Sequence, residues 1–352
     1  FNMSEEELSM VTSCAMLHDN ALTEYIMYER MGNRHDPAMK NHCIFGQRNV
    51  DTLHFKESAR GAILYHHERA DGGGPFGKKE GEFPLMAELI AAADGVDVTS
   101  HLQQIPPERL PALRKEIEAE AGKTHTRRAA SAMLAVLDEK MLLSLRDENI
   151  EASAARLLPV WNDEPEDRTI ISLGEFAARI IDFKSHFTRR HTMGISNKAL
   201  LMARHYGFDL TTRIQFYLSA CLHDLGKLAT PTAILEKPGR LTGDEFQTIK
   251  DHALHTWEML KDIEGFEKIC EWASNHHEKL DGTGYPFGKK TEALDLNSRL
   301  LCCLDIYQAV REERPYHPER DHKDTIKILN DMSETGLVDS EIVKDLDMIL
   351  AE

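Results

Sequence analysis

The chain has 352 residues, about two domains' worth by length, with 41% hydrophobic and 29% charged residues, a balance that excludes wholesale disorder and fibrous repeats. Lys plus Arg total 42 against 59 Asp plus Glu, a formal charge of −17; such a surface repels polyphosphate backbones and argues against a DNA or RNA binder, though bound cations can reverse the sign locally for a small anion. No apolar run approaches the roughly 18 residues that span a bilayer, and six cysteines without CxxC spacing point to a reduced, cytoplasmic protein.

The chain opens at Phe1 with no Met and no signal-like segment, so it is expected to lack its natural beginning. Ala129 to Leu158 reads as one long amphipathic helix. The acidic, Pro-punctuated stretch Pro159 to Arg168 then marks a boundary between domains at residues 1–158 and 169–352. Ala177 to Tyr206 carries apolar residues at three- and four-residue spacing, with Gly207 as a stop. Gln215 to Leu225 reads as a buried helix ending at Gly226, and Phe246 to Ile263, Phe266 to Asn275 and Leu296 to Val310 are further helices. Val and Ile do not alternate over any length, and hairpin signals between strand-like runs are missing. The expected fold is all-α.

The chain repeats itself. Tyr65-His66-His67-Glu68-Arg69-Ala70-Asp71-Gly72 matches Asn275-His276-His277-Glu278-Lys279-Leu280-Asp281-Gly282 at an offset of 210. His42 and His252 share that offset, Asp94 and Asp305 differ by 211, and His18-Asp19 and His223-Asp224 differ by 205. Four landmarks in register imply two copies of one domain.

The second copy places His191, His223, Asp224, His252, His276, His277 and Asp305 on successive expected helices. Imidazoles and carboxylates together suit Fe, Mn, Zn or similar ions. Adjacent helical residues point about 100° apart, so His223-Asp224 can serve two ions about 3.5–4 Å apart, with the carboxylate bridging. Seven ligands are too many for one tetrahedral ion and suit two that keep open positions. His186, His205 and His255 read as ordinary surface or core residues.

His223-Asp224-Leu225-Gly226-Lys227, His252, His276-His277-Glu278, Asp281-Gly282-Thr283-Gly284-Tyr285-Pro286, Asp305 and Arg314-Pro315-Tyr316 occur in that order. Over residues 170–352 this resembles the HD-GYP phosphodiesterases, a branch of the HD metal-dependent phosphohydrolases. The resemblance implies an all-α fold of tandem HD-type domains, two divalent ions (Fe or Mn) as cofactors, and hydrolysis of a bacterial cyclic dinucleotide, cyclic di-GMP or 3′3′-cyclic GMP-AMP, to the linear 5′-phosphoryl form. Carried over by position, His191, His223, Asp224 and Asp305 would hold one ion, and His252, His276, His277 and the bridging Asp224 the other. Family members with a third ion add a carboxylate one turn before the first His; here that position is Phe187, so two ions are expected. Lys227 would stabilise phosphoryl oxygens. Gly282 and Gly284 would let the loop turn tightly and approach the ligand, Tyr285 and Pro286 would stiffen it, Arg314 would fork onto the second phosphate, and Lys184-Ser185 would shape the entrance.

The first copy keeps His18, Asp19, His42, His66, His67 and Asp94. Leu22 stands where the second copy has Lys227, the Tyr is deleted, and Gln103-Gln104-Ile105 replace Arg-Pro-Tyr. It reads as a degenerate domain with a structural or regulatory role, the alternative being a phosphomonoesterase acting on the linear product. For the whole chain the alternatives are a non-catalytic cyclic-dinucleotide sensor and a broader HD-type nucleotidase. A homodimer is compatible with the sequence, and nothing in it requires one.

Overall fold

Helices in this chain start where the sequence supplies a cap. Ser4 accepts from Glu7 N and opens α1 (Glu5–Leu17) with a reciprocal capping box. Thr242 and Glu245 do the same for a later helix. The structure is a computed structural model that describes residues 3–22, 37–53, 59–146, 149–150, 153, 167–184, 191–237, 239–312 and 319–351. Among the described residues there are helices, turns and three isolated β-bridges, and no strand. The all-α expectation holds. No described helix is long and apolar enough to cross a membrane.

The chain separates into two units, Phe1–Glu164 and Pro165–Glu352. The first contains α1, α2 (Pro37–Asp51), α3 (Leu85–Ser100), α4 (Leu110–Glu120), α5 (Arg127–Val136) and α6 (Glu139–Ser144). Cys14, Ala62, Met86 and Ile90 form one small core, and Val96, Leu113, Ile117, Leu137 and Leu142 another. The single helix expected over Ala129 to Leu158 is broken. Leu137 leaves the helix in an extended conformation to be buried, and Asp138 caps α6 through Met141 N at 2.7 Å. The Arg114 guanidinium takes up the carbonyls of Leu134 and Leu137 freed by the break.

The second unit contains α7 (Asp167–Asp182), α8 (His191–His205), α9 (Leu210–Leu222), α10 (Thr232–Leu235), α11 (Gly243–Leu260), α12 (Glu267–Ser274), α13 (Leu296–Arg311), α14 (His322–Glu334) and α15 (Ser340–Leu350). Helix α9 is buried on nearly every side from Ile214 to Leu222 and packs against α7, α8 and α12. Ile195, Met202, Phe216, Leu300, Leu304 and Leu329 close the main core; each such side chain contributes roughly 1.5–3 kcal/mol by leaving water. The continuous helix expected from Ala177 to Tyr206 is also interrupted. Phe183 and Lys184 turn after α7, and Asp182 accepts hydrogen bonds from the N–H and hydroxyl of Thr192 in the first turn of α8. A side chain thus caps the helix that begins with His191.

Candidate metal centre

His223 sits at the C-terminal end of α9, where the last helical carbonyls have no amide partner. Its Nδ1 lies 2.9 Å from the Ala220 carbonyl, so Nδ1 carries the proton and Nε2 points away with its lone pair. His276 repeats the device after α12, its Nδ1 being 2.6 Å from Ala273 O, and His252 on α11 bonds Ile249 O at 2.5 Å. The Nε2 atoms of His252 and His276 then face each other at 3.2 Å. Two lone pairs at that separation repel unless a cation lies between them.

Two carboxylates complete the cluster. Asp224 Oδ1 lies 3.3 Å from His252 Nε2 and 3.9 Å from His276 Nε2, and its Oδ2 lies 3.3 Å from His223 Nε2. Asp305, on α13, places Oδ1 3.1 Å from His191 Nε2 and 3.9 Å from His223 Nε2, with Oδ2 3.5 Å from His277 Nδ1. Around an ion with bonds of about 2.0–2.1 Å, neighbouring donors stand about 3.0 Å apart in an octahedron and about 3.4 Å in a tetrahedron. Most of these spacings are edges of such polyhedra. All seven side chains expected from the sequence come together, and six of them are buried to 7% exposure or less. Asp305 touches donors of both expected ligand sets, so it, like Asp224, links the two halves of the site.

The protonation of both carboxylates and of three imidazoles suits cations. Burial alone would raise Asp224, but the Lys227 ammonium and the imidazoles of His223 and His252 hold it well below the usual carboxylate range. Asp305 behaves alike: burial raises it, and His191 and His277 pull it far down. Burial pushes His252 down to about 4 and His276 and His277 well below the ordinary imidazole value, which keeps lone pairs available. His191 is opposed by burial yet raised to about 9 by its bonds to Asp305 and Glu312.

Glu312 was not singled out in the sequence. It accepts from His191 Nδ1 at 2.9 Å and is braced by Gln308 Nε2 at 2.6 Å, whose Oε1 accepts from Lys198 at 2.7 Å. Its spacing of seven residues from Asp305, two helical turns, was the available signal. Carboxylates behind a ligating imidazole fix its tautomer and typically carry 10–100-fold in metal affinity. Glu312→Gln is therefore expected to weaken manganese binding by about tenfold, with the helical signal in circular dichroism unchanged; calorimetric titration checks it.

The Gly-Tyr-Pro loop is built on Glu278. Its carboxylate, 2% exposed, accepts from Phe287 N at 2.7 Å and Lys289 N at 2.9 Å. Gly282 supplies the turn at φ +85°, while a Cβ on Gly284 would stand 2.4 Å from Glu278 Cα. Gly284 thus packs directly on the loop's own base, a demand for glycine beyond the one expected from the sequence. Tyr285 lies over His277 with ring centroids 4.7 Å apart, next to the cis Tyr285–Pro286 peptide. Lys227 Nζ sits 2.6 Å from Asp224 Oδ2, and Lys184 donates to Leu228 O at 3.1 Å, bracing the turn after Asp224. Ser185, Phe187, Arg314, Pro315 and Tyr316 lie outside the described residues, as does His186. His205 and His255 pair with Asp345 and Glu258, away from the cluster.

An HD domain family model matches residues 175–342. The chain is 29% identical to 3′3′-cGAMP-specific phosphodiesterase 1 of Vibrio cholerae serotype O1, over 96% of this chain and 81% of that protein. It is 30% identical to 3′3′-cGAMP-specific phosphodiesterase 3 of the same organism, over 79% of this chain and 60% of that one. A crystal structure of a cyclic GMP-AMP specific phosphodiesterase from V. cholerae (V-cGAP3) superposes with a TM-score of 0.63 at 22% identity, covering 99% of this chain and 88% of that one, and supports the fold. With His223-Asp224, His276-His277-Glu278 and Gly284-Tyr285-Pro286 all present, the second unit is an HD domain that carries the HD-GYP signature.

Proposed function

We propose that the second unit is a metal-dependent phosphodiesterase that linearises a bacterial cyclic dinucleotide. The observation that carries this is the cluster itself: imidazoles tied down by helix-end carbonyls turn their Nε2 lone pairs toward two ionised carboxylates. His191, His223, Asp224 and Asp305 would hold one divalent ion and His252, His276, His277 and Asp224 the other, iron or manganese by donor type. When bound, such a pair supplies hydroxide near neutral pH and neutralises charge on a phosphodiester.

The protein's own groups do the rest. Lys227, held beside Asp224, is placed to donate to phosphoryl oxygens as negative charge grows on them. Burial drives the Tyr285 phenol far above its ordinary value, so its O–H stays a donor at the rim. Water adds across the P–O3′ bond, giving the linear 5′-phosphoryl dinucleotide. The substrate class rests on the relatives' names, and the mixed guanine–adenine cyclic dinucleotide is the first substrate to test, with cyclic di-GMP second.

Incubating the protein with manganese or ferrous iron and each cyclic dinucleotide, followed by chromatography, is expected to show linear product. Intact cyclic dinucleotide beside fully metal-loaded protein would favour the sensor reading instead. Lys227→Ala is expected to keep its metal, measured by elemental analysis, and to lose about 100-fold or more in rate. Equal loss of metal and rate would make Lys227 structural.

A further inference from the structure

The first unit repeats the second unit's donor geometry almost atom for atom. His42 Nε2 lies 3.0 Å from Asp19 Oδ1 and His66 Nε2 3.7 Å from the same oxygen. His18 Nε2 lies 3.4 Å from Asp19 Oδ2 and 3.7 Å from Asp94 Oδ1, and His67 Nδ1 3.9 Å from Asp94 Oδ2. Each pair has its counterpart on the same carboxylate oxygen of Asp224 or Asp305. The tautomers are set in the same way. His18 Nδ1 lies 2.6 Å from Ala15 O at the end of α1, and His66 Nδ1 2.5 Å from Ile63 O. His66 is fully buried, yet its Nε2 and that of His18 have no hydrogen-bond partner and point into the cluster. A buried imidazole nitrogen left without a partner is costly, and a ligand at that point would recover the cost.

One difference bears on what the site can do. Leu22 occupies the position of Lys227, so no ammonium sits on Asp19 among the described residues, whereas Asp224 has one at 2.6 Å. The Asp19 carboxylate therefore has imidazoles as its described neighbours, with His42, His18 and His66 at 3.0, 3.4 and 3.7 Å. Asp19 is also 37% exposed where Asp224 is 1% exposed, so an ion has a way in. A bare carboxylate amid four imidazoles is a cation site without a phosphate-handling cation.

We propose that the first unit binds a divalent transition-metal ion of its own, through Asp19, His42, His66 and His67, whose donor atoms lie within 4.8 Å of one another. Three nitrogens and one oxygen suit manganese, iron, cobalt or zinc rather than magnesium or calcium. The ion ties α1 and α2 to the turn that carries His66-His67, and its role is to order the unit rather than to turn over substrate.

The test uses the full chain, reconstituted with manganese, dialysed and analysed for metal. Asp224→Ala protein, with its second-unit site disabled, is expected to retain about one ion per chain, and Asp19→Asn or His66→Gln in that background to remove it. Cobalt in place of manganese should give d–d absorption that the same substitutions abolish. An Asp224→Ala chain that binds no metal overturns the proposal, and so does residual metal indifferent to Asp19→Asn. If His66→Gln fails to fold, as read by circular dichroism, Asp19→Asn and the Asp224→Ala count still decide. Hydrolysis by wild-type protein is scored separately, so failure here leaves the second unit's function standing.

Discussion

Asp224→Ala is expected to lower cyclic-dinucleotide hydrolysis by on the order of a thousandfold or more and to empty the second unit of metal. The reason is connectivity. One carboxylate faces His223 and Lys227 through Oδ2 and His252 and His276 through Oδ1, so its removal unties both halves of the cluster together. It also leaves the Lys227 ammonium, 16% exposed, without its partner. Asp224→Asn separates charge from shape: it keeps the packing and should still lose most metal, because the ionised oxygen is what the cations need. Elemental analysis and initial rates on both variants check this. Hydrolysis that survives complete metal loss would contradict the assignment.

Gly226→Ala is expected to cost the second unit about 3 kcal/mol or more, the upper end for overpacking. A Cβ there would stand 2.0 Å from the His252 carbonyl oxygen and 2.8 Å from Thr256 N, both backbone atoms of α11 that cannot swing aside. The turn after Asp224 is also pinned to that helix: Gly226 N donates to Thr256 Oγ1 at 3.0 Å, and that hydroxyl donates to His223 O at 3.0 Å. Pushing the two apart therefore moves His252 relative to His223 and Asp224. Thermal unfolding should fall by roughly 6–12 °C for a unit of this size, with metal affinity falling in step. Gly207→Ala is the control. Its φ is +65° but nothing lies within 4 Å, so it should lose only about 1–2 kcal/mol for the left-handed backbone.

The sequence was most legible where chemistry repeats. His and Asp at offsets of 205, 210 and 211 pointed to six of the seven side chains that the fold does bring together, and His191 was added by the resemblance alone. Helix type was readable from spacing, because α8 buries residues three and four apart. Breaks were not. Periodicity runs straight through Leu137 and Phe183, and only tertiary partners show why the helices end there: the Arg114 guanidinium collects the carbonyls near Leu137, and Asp182 reaches across to Thr192. Supporting residues were harder still. Glu312 looks like any surface acid at a helix end until its bond to His191 is seen, and Glu278, read as part of a motif, proves to be the buried strut of the loop. Gly284 has a second reason that the sequence did not show, since the backbone a Cβ there would meet is that of Glu278.

The central claim is that the second unit gathers its imidazoles and carboxylates around a pair of cations. Anomalous diffraction from crystals of the manganese-loaded protein, collected above the manganese edge, tests it most directly. Two peaks about 3.5–4 Å apart, one bounded by His191, His223 and Asp305, the other by His252, His276 and His277, with Asp224 between them, are the expected result. A single peak in that unit, or peaks away from these side chains, would contradict it.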